Sequence, residues 1–227
     1  MMERQGDFLS EYLKNWSIYD TGCKFCHSIF NYLNNYWIKS KVDDARNRLS
    51  GQISAIDIYP IYELALFTWR TFAFNKLKDK LNDNIFTLIN SERSGQKIEQ
   101  PVVAGVIQSY VRLALDKPLK IYQEDFEVPY IKSTREFYSI EATSILSSSG
   151  VTSFMKSAND RLSEEELRTK RYLHPTSFDT IMKNCCEVLV IDVKDILLGE
   201  FPSLLKNDQR EDLKRLYLLV KRVQEGV

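Results

Sequence analysis

The stretch from Ile58 to Arg93 most constrains the fold of this chain, because it has the pattern of one long helix. Pro60 stands where a first-turn proline is tolerated, since its missing N–H would lack a helical partner anyway. Apolar residues then recur at three- and four-residue steps, at Tyr62, Ala65, Leu66, Trp69 and Phe72 and later at Leu77, Leu81, Ile85 and Leu88. We predict a first half buried nearly all round and a second half buried along one face.

The same periodicity predicts helices through most of the chain, and no segment alternates with the period of a strand. The other predicted helices are Glu3–Asn15, Gly22–Lys39, Val102–Leu115, Leu119–Leu146, Val151–Leu173, Phe178–Asp192, Val193–Lys206 and one from Asp208. Three of these helices have predicted inward faces. They are Val103, Val106, Tyr110, Leu113 and Ala114 in the helix from Val102, Val151, Met155, Ala158 and Leu162 in the helix from Val151, and Leu213, Leu216, Tyr217 and Val220 in the last helix. Trp16–Tyr19 is expected to be a connection, with Asp20 or Thr21 as the following cap. Ser40–Asp57 is predicted to be a loop with a helical turn at Val42–Leu49. The expected fold is all-α and elongated, without a β-sheet.

Several prolines and glycines are expected to interrupt the helices of the second half. Pro129 should kink or split Leu119–Leu146, because an internal proline costs roughly 3 kcal/mol. Ser147–Gly150 should separate that helix from the next, with Ser149 as a cap. Gly199 and Pro202 are expected to interrupt Val193–Lys206.

Charge and composition exclude several classes of function. Basic and acidic residues total 31 each, so the formal net charge is +0 and the footprint of a nucleic-acid-binding protein is missing. The same balance gives no reason to expect a membrane surface as partner. The start MMERQGDFLS has no apolar signal region, and no apolar run approaches the roughly 20 residues of a membrane span. We therefore expect a cytoplasmic and/or nuclear protein with reduced cysteines.

Cys23, Cys26 and His27 match the C-x-x-C-H pattern of covalent haem attachment. Haem attachment normally follows export, for which the sequence shows no signal peptide. A zinc site that adds Cys185 to these three residues lacks the paired spacing of structural zinc sites. We expect no cofactor and no metal; a helical haem or redox protein is the alternative from a different class, which a visible absorption spectrum would distinguish.

No other group of residues has the pattern of a catalytic centre. Glu164, Glu165 and Glu166 are adjacent, and adjacent helical residues point about 100° apart, so they do not converge on a substrate. Arg168 and Lys170 lie four residues after Glu164 and Glu166, which predicts a solvated face with ion pairs. His174 has no nucleophile near it in the sequence, and no phosphate-binding or hydrolase motif occurs. We expect no enzyme activity.

The helix Gly22–Lys39 has the composition of a binding surface on one face. Its apolar face is predicted to contain Phe25 or Cys26, Ile29, Phe30, Leu33 and Trp37, with Leu33 and Trp37 in the core. The other face places Tyr32 among Ser28, Asn31 and Asn35. One aromatic side chain among small polar residues is typical of an interface anchor. We predict that Tyr32 is a partly exposed anchor.

Several segments resemble the cullins, the scaffold proteins of multisubunit ubiquitin ligases. The resemblance rests on the segments IYPIYELALFTWRTFAF, LINSERSG, PVVAGVIQSYVRLAL, IYQEDFEVPYIKSTREFY, FMKSANDRLSEEELRTKRYL and EDLKRLYLLVKRVQEGV. It covers nearly the whole chain and is closest to the cullin-1 branch. Phe154 departs from the pattern, because the family usually has tyrosine there.

The resemblance implies a non-catalytic scaffold built from five-helix repeats in ubiquitin-dependent degradation. It divides the chain into a remnant of the first repeat (1–57), a second repeat (58–173) and the start of a third (174–227). The first repeat of cullin-1-type proteins binds an SKP-type adaptor of BTB/POZ fold, which carries an F-box substrate receptor. The contact positions of the later of its two binding helices fall on Ser28, Asn31, Tyr32 and Asn35.

The resemblance also implies that parts of a cullin lie outside these 227 residues. These are the earliest helices and the cullin homology domain, which recruits the RING protein and carries the modified lysine. We therefore expect no RING protein to bind through this segment, and no ubiquitin transfer by the chain alone. A truncated cullin paralogue that occupies adaptors as a decoy is the alternative within the same class.

Overall fold

The computed structural model describes residues 2–41, 59–115 and 117–225, and these contain helices, turns and short connections without a strand, which confirms the all-α class. The α-helices are α1 (Met2–Ile29), α2 (Ile61–Trp69), α3 (Asn75–Arg93), α4 (Gln100–Arg112), α5 (Lys120–Tyr122), α6 (Val128–Tyr172), α7 (Phe178–Cys186), α8 (Lys194–Lys206) and α9 (Arg210–Glu225). π-Helical turns lie at Leu33–Ile38, Arg70–Phe74, Gln123–Glu127 and Glu187–Ile191, and a 3₁₀ turn at Pro175–Ser177.

The described chain forms two compact units. The N-terminal unit comprises the described residues of Met1–Ser91 and Lys97–Tyr122, and in it α1 packs against α2 and α4. The C-terminal unit comprises those of Glu92–Gln96 and Gln123–Val227, and in it α6 packs against α7 and α9. The repeat boundaries at 57/58 and 173/174 stay a prediction, and the first of them lies outside the described residues.

Helix α1 runs without a break through the predicted connection. Trp16 and Tyr19 lie on it and pack against Trp69 of α2, with ring centroids 5.5 and 4.7 Å apart. The predicted connection at Trp16–Tyr19 and the cap at Asp20 or Thr21 are therefore wrong. A stripe of buried residues follows one face of the helix at helical spacing, at Leu9, Tyr12, Trp16 and Asp20. This stripe determines which way every later residue of α1 points.

The predicted helix from Ile58 begins at Ile61 and contains a π-helical turn at Arg70–Phe74. A π turn holds an extra residue, which shifts the apolar spacing. Phe72 is 68% exposed, whereas Phe74 is fully buried with its ring edge-to-face on Tyr110 at 4.7 Å. The prediction for Phe72 is therefore wrong. The prediction that the first half of this helix is buried nearly all round is also wrong, since Leu64 is exposed as well.

After the π turn the predicted amphipathic stripe is confirmed. Leu81, Ile85 and Leu88 of α3 are buried, and Lys76, Lys80 and other charged residues lie on the exposed face. Of the inward residues predicted for the helix from Val102, Val103, Val106, Tyr110 and Leu113 are buried and Ala114 is half-buried. Gly105 allows α4 to approach α1 closely, because a Cβ atom there would lie 2.8 Å from Leu13 Cδ2. These stripes therefore form the core of the N-terminal unit.

Helix α6 bends at the predicted break, whereas the chain stays helical through the predicted proline. Gly150 has φ 80° and ψ 179°, a conformation that glycine adopts readily, and the chain is helical on both sides of it. Pro129 lies in the first turn of α6, directly after the π turn Gln123–Glu127, where its missing N–H is tolerated. The predicted split at Pro129 is therefore wrong. After Gly150, the predicted face with Met155, Ala158 and Leu162 is buried.

The last two helices differ from their predicted patterns. Helix α8 continues through both Gly199 and Pro202. In α9, Tyr217 and Val220 are exposed although they were predicted to face inward, and Leu219 is buried instead. The buried pair Leu216 and Leu219 shows that the inward stripe of α9 is rotated relative to the prediction. The predicted turn at Val42–Leu49 lies outside the described residues.

A buried ion cluster at the centre of the C-terminal unit overturns the predicted solvated face at Glu164–Glu166. The Glu165 side chain is fully buried and accepts from Arg93 Nε at 2.8 Å and from Arg168. Tyr138 and Tyr130 donate their hydroxyls to the same carboxylate at 2.5 and 3.3 Å. The predicted pair Glu164–Arg168 is therefore wrong. Of the predicted pairs, only Glu166–Lys170 forms on the surface, at 2.8 Å.

The second half of the cluster adds partners for both guanidinium groups. Arg93 Nη2 donates to Thr134 Oγ1 at 2.8 Å, and Arg168 Nε donates to Glu92 Oε2 at 3.0 Å. Tyr172 also donates to Glu92, at 2.8 Å. A buried charge needs this many partners because desolvation costs several kcal/mol for each ion. The cluster thus ties α6 to the end of α3.

The electrostatics of the cluster predict a specific response to acid. Burial opposes ionisation of Glu165, but Arg93 and Arg168 outweigh it and hold the pKa of its carboxyl below the usual range. A lowered folded-state pKa means that the stabilisation is complete above the unfolded value of about 4.3 and is lost as the pH falls through the folded value. We therefore expect the stability difference between wild type and Glu165→Gln in urea unfolding to shrink below about pH 4. A difference that stays constant with pH would contradict this assignment.

Candidate functional site

The residues predicted to bind a partner all lie on the surface of the N-terminal unit. Ser28, Asn31, Tyr32 and Asn35 are exposed, and Tyr32 has 76% of its surface accessible. Ser28 donates its hydroxyl to the carbonyl of Lys24 at 3.0 Å, and Asn35 donates to Asn31 Oδ1 at 2.7 Å. The local bonds engage these small polar residues with their own helix, and the Tyr32 ring projects beyond them.

The predicted apolar face of this segment is not in the core. Leu33 and Trp37, predicted to be buried, are exposed, as are Phe25, Cys26, Ile29 and Phe30. The reason is the unbroken α1 helix, since its buried stripe through Trp16 and Asp20 continues in the half-buried Cys23 and His27. Phe25 and Ile29 consequently point the other way. In the described residues that follow α1 directly, 30–41, the buried ones are Asn34 and Ile38.

Large apolar side chains and the four predicted residues are exposed along the same helical segment, and we call them together the Tyr32 surface. It comprises Phe25, Ser28, Ile29, Phe30, Asn31, Tyr32, Leu33, Asn35, Tyr36 and Trp37. The rings of Tyr32 and Tyr36 stack with centroids 4.5 Å apart and planes 28° apart. Large exposed apolar patches among polar residues are a mark of protein-binding sites. Sequence reasoning missed Tyr36; its spacing of four residues from Tyr32 was the available signal.

A network of polar side chains fixes α1 just before this surface. The buried Asp20 carboxylate accepts from Lys24 Nζ at 2.7 Å, from Arg112 Nη1 at 2.7 Å and from the Tyr62 hydroxyl at 2.6 Å. Burial opposes ionisation, but the bonds from Lys24 and Tyr62 outweigh it and hold the pKa of Asp20 below its usual range. Since Tyr62 lies on α2 and Arg112 on α4, one carboxylate joins three helices.

The Cys23, Cys26 and His27 motif is part of the same helix, and its histidine is engaged by the protein. Asn34 Nδ2 lies 3.1 Å from His27 Nδ1, and the Tyr62 backbone N–H donates to the same nitrogen at 3.4 Å. Cys26 is exposed and Cys23 half-buried, while Cys185 lies buried in the C-terminal unit. In the part of the chain that the structure describes, no group of three or more metal-binding side chains comes together.

None of the described helices is both long enough and apolar enough to cross a bilayer.

Comparisons with known proteins match the whole sequence. A family model described as the Cullin alpha solenoid domain matches residues 1–227. Cullin-1 of Caenorhabditis elegans is 35% identical over 235 residues, which cover 97% of this chain and 29% of that protein. Cullin-1 of Dictyostelium discoideum is 33% identical and cullin-1 of Schizosaccharomyces pombe 29% identical, each over 96% of this chain and 28% of the relative.

The chain thus spans less than a third of the length of these relatives. The comparisons give no support to a haem protein. The family match extends over every residue, and the described residues have the helical architecture that the matched domain name states. The chain therefore belongs to the cullin family.

Proposed function

We propose that this chain is part of the scaffold of an SCF-type cullin-RING ubiquitin ligase, and that the Tyr32 surface binds the adaptor. The adaptor is an SKP-type protein of BTB/POZ fold that carries an F-box substrate receptor. The observation that supports this proposal is the exposure of the Tyr32 surface. This surface contains the four residues that the resemblance assigns to adaptor contact, and it places stacked aromatic rings beside them.

The composition of the Tyr32 surface suits a lasting protein contact. Tyrosine buries a large apolar ring at low conformational cost and offers a hydroxyl for a hydrogen bond. The Tyr32 ring already stacks on Tyr36, so less side-chain freedom is lost when a partner covers both. The small side chains of Ser28 and Asn31 leave room around the ring. This chemistry fits a scaffold that holds a partner, with no reaction carried out by the chain.

Tyr32→Ala is expected to weaken adaptor binding by about 2 kcal/mol, the cost of removing an interface hot spot. Because Tyr32 is exposed, the melting temperature of the chain should stay nearly unchanged. Calorimetric titration of a purified SKP-type adaptor against wild type and variant measures the first quantity, and melting curves measure the second. Tyr217→Ala is the matched control, since Tyr217 is a similarly exposed tyrosine in the C-terminal unit.

The outcomes separate the possible errors. Equal losses for Tyr32→Ala and Tyr217→Ala would show that the Tyr32 surface is not the binding site. No binding by wild type at high micromolar adaptor would overturn the proposed function. Leu33→Ala should also leave stability nearly unchanged, because Leu33 is exposed; a large drop in melting temperature would show that Leu33 belongs to the core.

A further inference from the structure

Helix α2 begins without a cap from its own chain neighbour. Pro60 precedes the helix and forms no side-chain cap bond, and the first N–H groups of any helix have no partner within it. His27 of α1 and Asn34 of the π-helical turn Leu33–Ile38 supply the acceptors. Asn34 Oδ1 accepts from the Ile61 N–H at 3.1 Å, and His27 Nδ1 accepts from the Tyr62 N–H at 3.4 Å. The start of α2 is thus capped from 27 to 35 residues away in sequence.

Asn34 makes these bonds while its sequence neighbours are exposed. It is 7% accessible, although Leu33 and Asn35 on either side of it are both exposed. Its Nδ2 group lies 3.1 Å from both the carbonyl and Nδ1 of His27. The amide is therefore used at both ends, as donor toward α1 and as acceptor toward α2. A buried amide with partners on two sides specifies one orientation of the segment that carries it.

Asn34 also lies inside the π-helical turn Leu33–Ile38. A π turn is rare, often marks functional sites, and rotates the residues that follow it relative to an α-helix. Tyr36 and Trp37 belong to this turn, so the direction of these two rings depends on the turn being kept.

We propose that Asn34 and His27 are positioning residues of the Tyr32 surface. By capping α2 they hold the π-helical turn in one register and keep the rings of Tyr32 and Tyr36 in the arrangement that the partner contacts. This inference rests on the proposed function for its binding readout. The capping geometry gives it a second readout that needs no partner.

His27 Nδ1 is the acceptor of the Tyr62 N–H, and the same nitrogen faces Nδ2 of Asn34. The Tyr62 ring stands edge-on to the imidazole at 6.3 Å, and Lys24 Nζ lies 5.8 Å from the centre of that ring. Asp20 accepts from both Lys24 and Tyr62, and Cys23 and Cys26 share the helix.

Asn34→Asp tests the inference, because it replaces the Nδ2 donor of Asn34 with an oxygen. The new carboxylate still accepts from the Ile61 N–H, but it faces the lone pair of His27 Nδ1 and the His27 carbonyl. We expect adaptor binding about tenfold weaker than wild type, since buried acceptors then face each other.

Asn15→Asp is the matched control, since it makes the same chemical change at an exposed position of α1 outside the Tyr32 surface. It should bind like wild type. His27→Phe is the second variant, because it keeps a ring and removes both nitrogens. It should also weaken binding. Binding of Asn34→Asp equal to wild type would overturn the positioning role.

Amide hydrogen exchange supplies the readout that does not depend on an adaptor. The Tyr62 N–H should exchange faster than in wild type in His27→Phe, and the Ile61 N–H should do so in Asn34→Leu, because each variant removes the acceptor of that group. Unchanged exchange at these two groups would overturn the capping inference. If wild type binds no adaptor, the proposed function fails by itself, and the exchange rates still decide whether Asn34 and His27 hold the segment.

Discussion

Glu165→Ala is expected to lower the unfolding free energy by about 3–5 kcal/mol, because it leaves two buried guanidinium groups without their shared carboxylate. Arg93 is nearly inaccessible, and Thr134 and Tyr130, which also accept from it, are neutral. Arg168 keeps Glu92 but loses its second carboxylate. Urea unfolding followed by far-UV circular dichroism measures the loss. The rate of thiol labelling at the buried Cys185 reports on the same unit.

Glu166→Ala is the matched control for this prediction. Glu166 is the next residue, and its exposed pair with Lys170 contributes only about 0–1 kcal/mol. Glu165→Gln should fall between the two, since it keeps hydrogen-bond acceptors and removes the charge. If Glu165→Ala and Glu166→Ala cost the same, the cluster does not stabilise the C-terminal unit in the way described.

Phe74→Ala is expected to destabilise the N-terminal unit by about 3–5 kcal/mol through the cavity left by a fully buried ring. The substitution also removes the edge-to-face contact with Tyr110. The three tryptophans of the chain, Trp16, Trp37 and Trp69, belong to this unit, so urea unfolding followed by tryptophan fluorescence reports on it directly.

Phe72→Ala provides the control, two residues away in the same π-helical turn. Phe72 is 68% exposed, and surface substitutions of this kind usually change stability by no more than about 0.5 kcal/mol. A larger loss for Phe72→Ala than for Phe74→Ala would mean that the segment is α-helical, with the register that the sequence pattern predicts.

Amphipathic spacing alone determined much of the helical fold. Leu81, Ile85 and Leu88 lie inward as predicted, as do Met155, Ala158 and Leu162. Spacing succeeds at such stretches because an α-helix repeats every 3.6 residues and a regular stripe has one stable way to face a core. Gly150 was predictable for a similar local reason, since glycine reaches positive φ without strain. The six segments that resemble cullins also indicated the family, which the match over residues 1–227 confirms.

The exposure of the candidate site was only partly predictable. Ser28, Asn31, Tyr32 and Asn35 are on the surface as expected, but Leu33 and Trp37 are there too. Their direction depends on α1 being continuous through Trp16 and Tyr19, which results from packing against Trp69. The burial of Asn34 depends on the N–H of Ile61, which local spacing does not show.

Register shifts and buried charges were decided by tertiary structure. Phe74 is buried in place of Phe72 because of a π turn. Its extra residue breaks the repeat that any periodicity argument assumes. Glu165 looks like its two exposed neighbours in sequence, and only the cluster formed with Arg93, 72 residues away, makes its burial tolerable. Sequence spacing reports on neighbours one helical turn apart, whereas the cost of burying a charge depends on partners that folding brings from elsewhere in the chain.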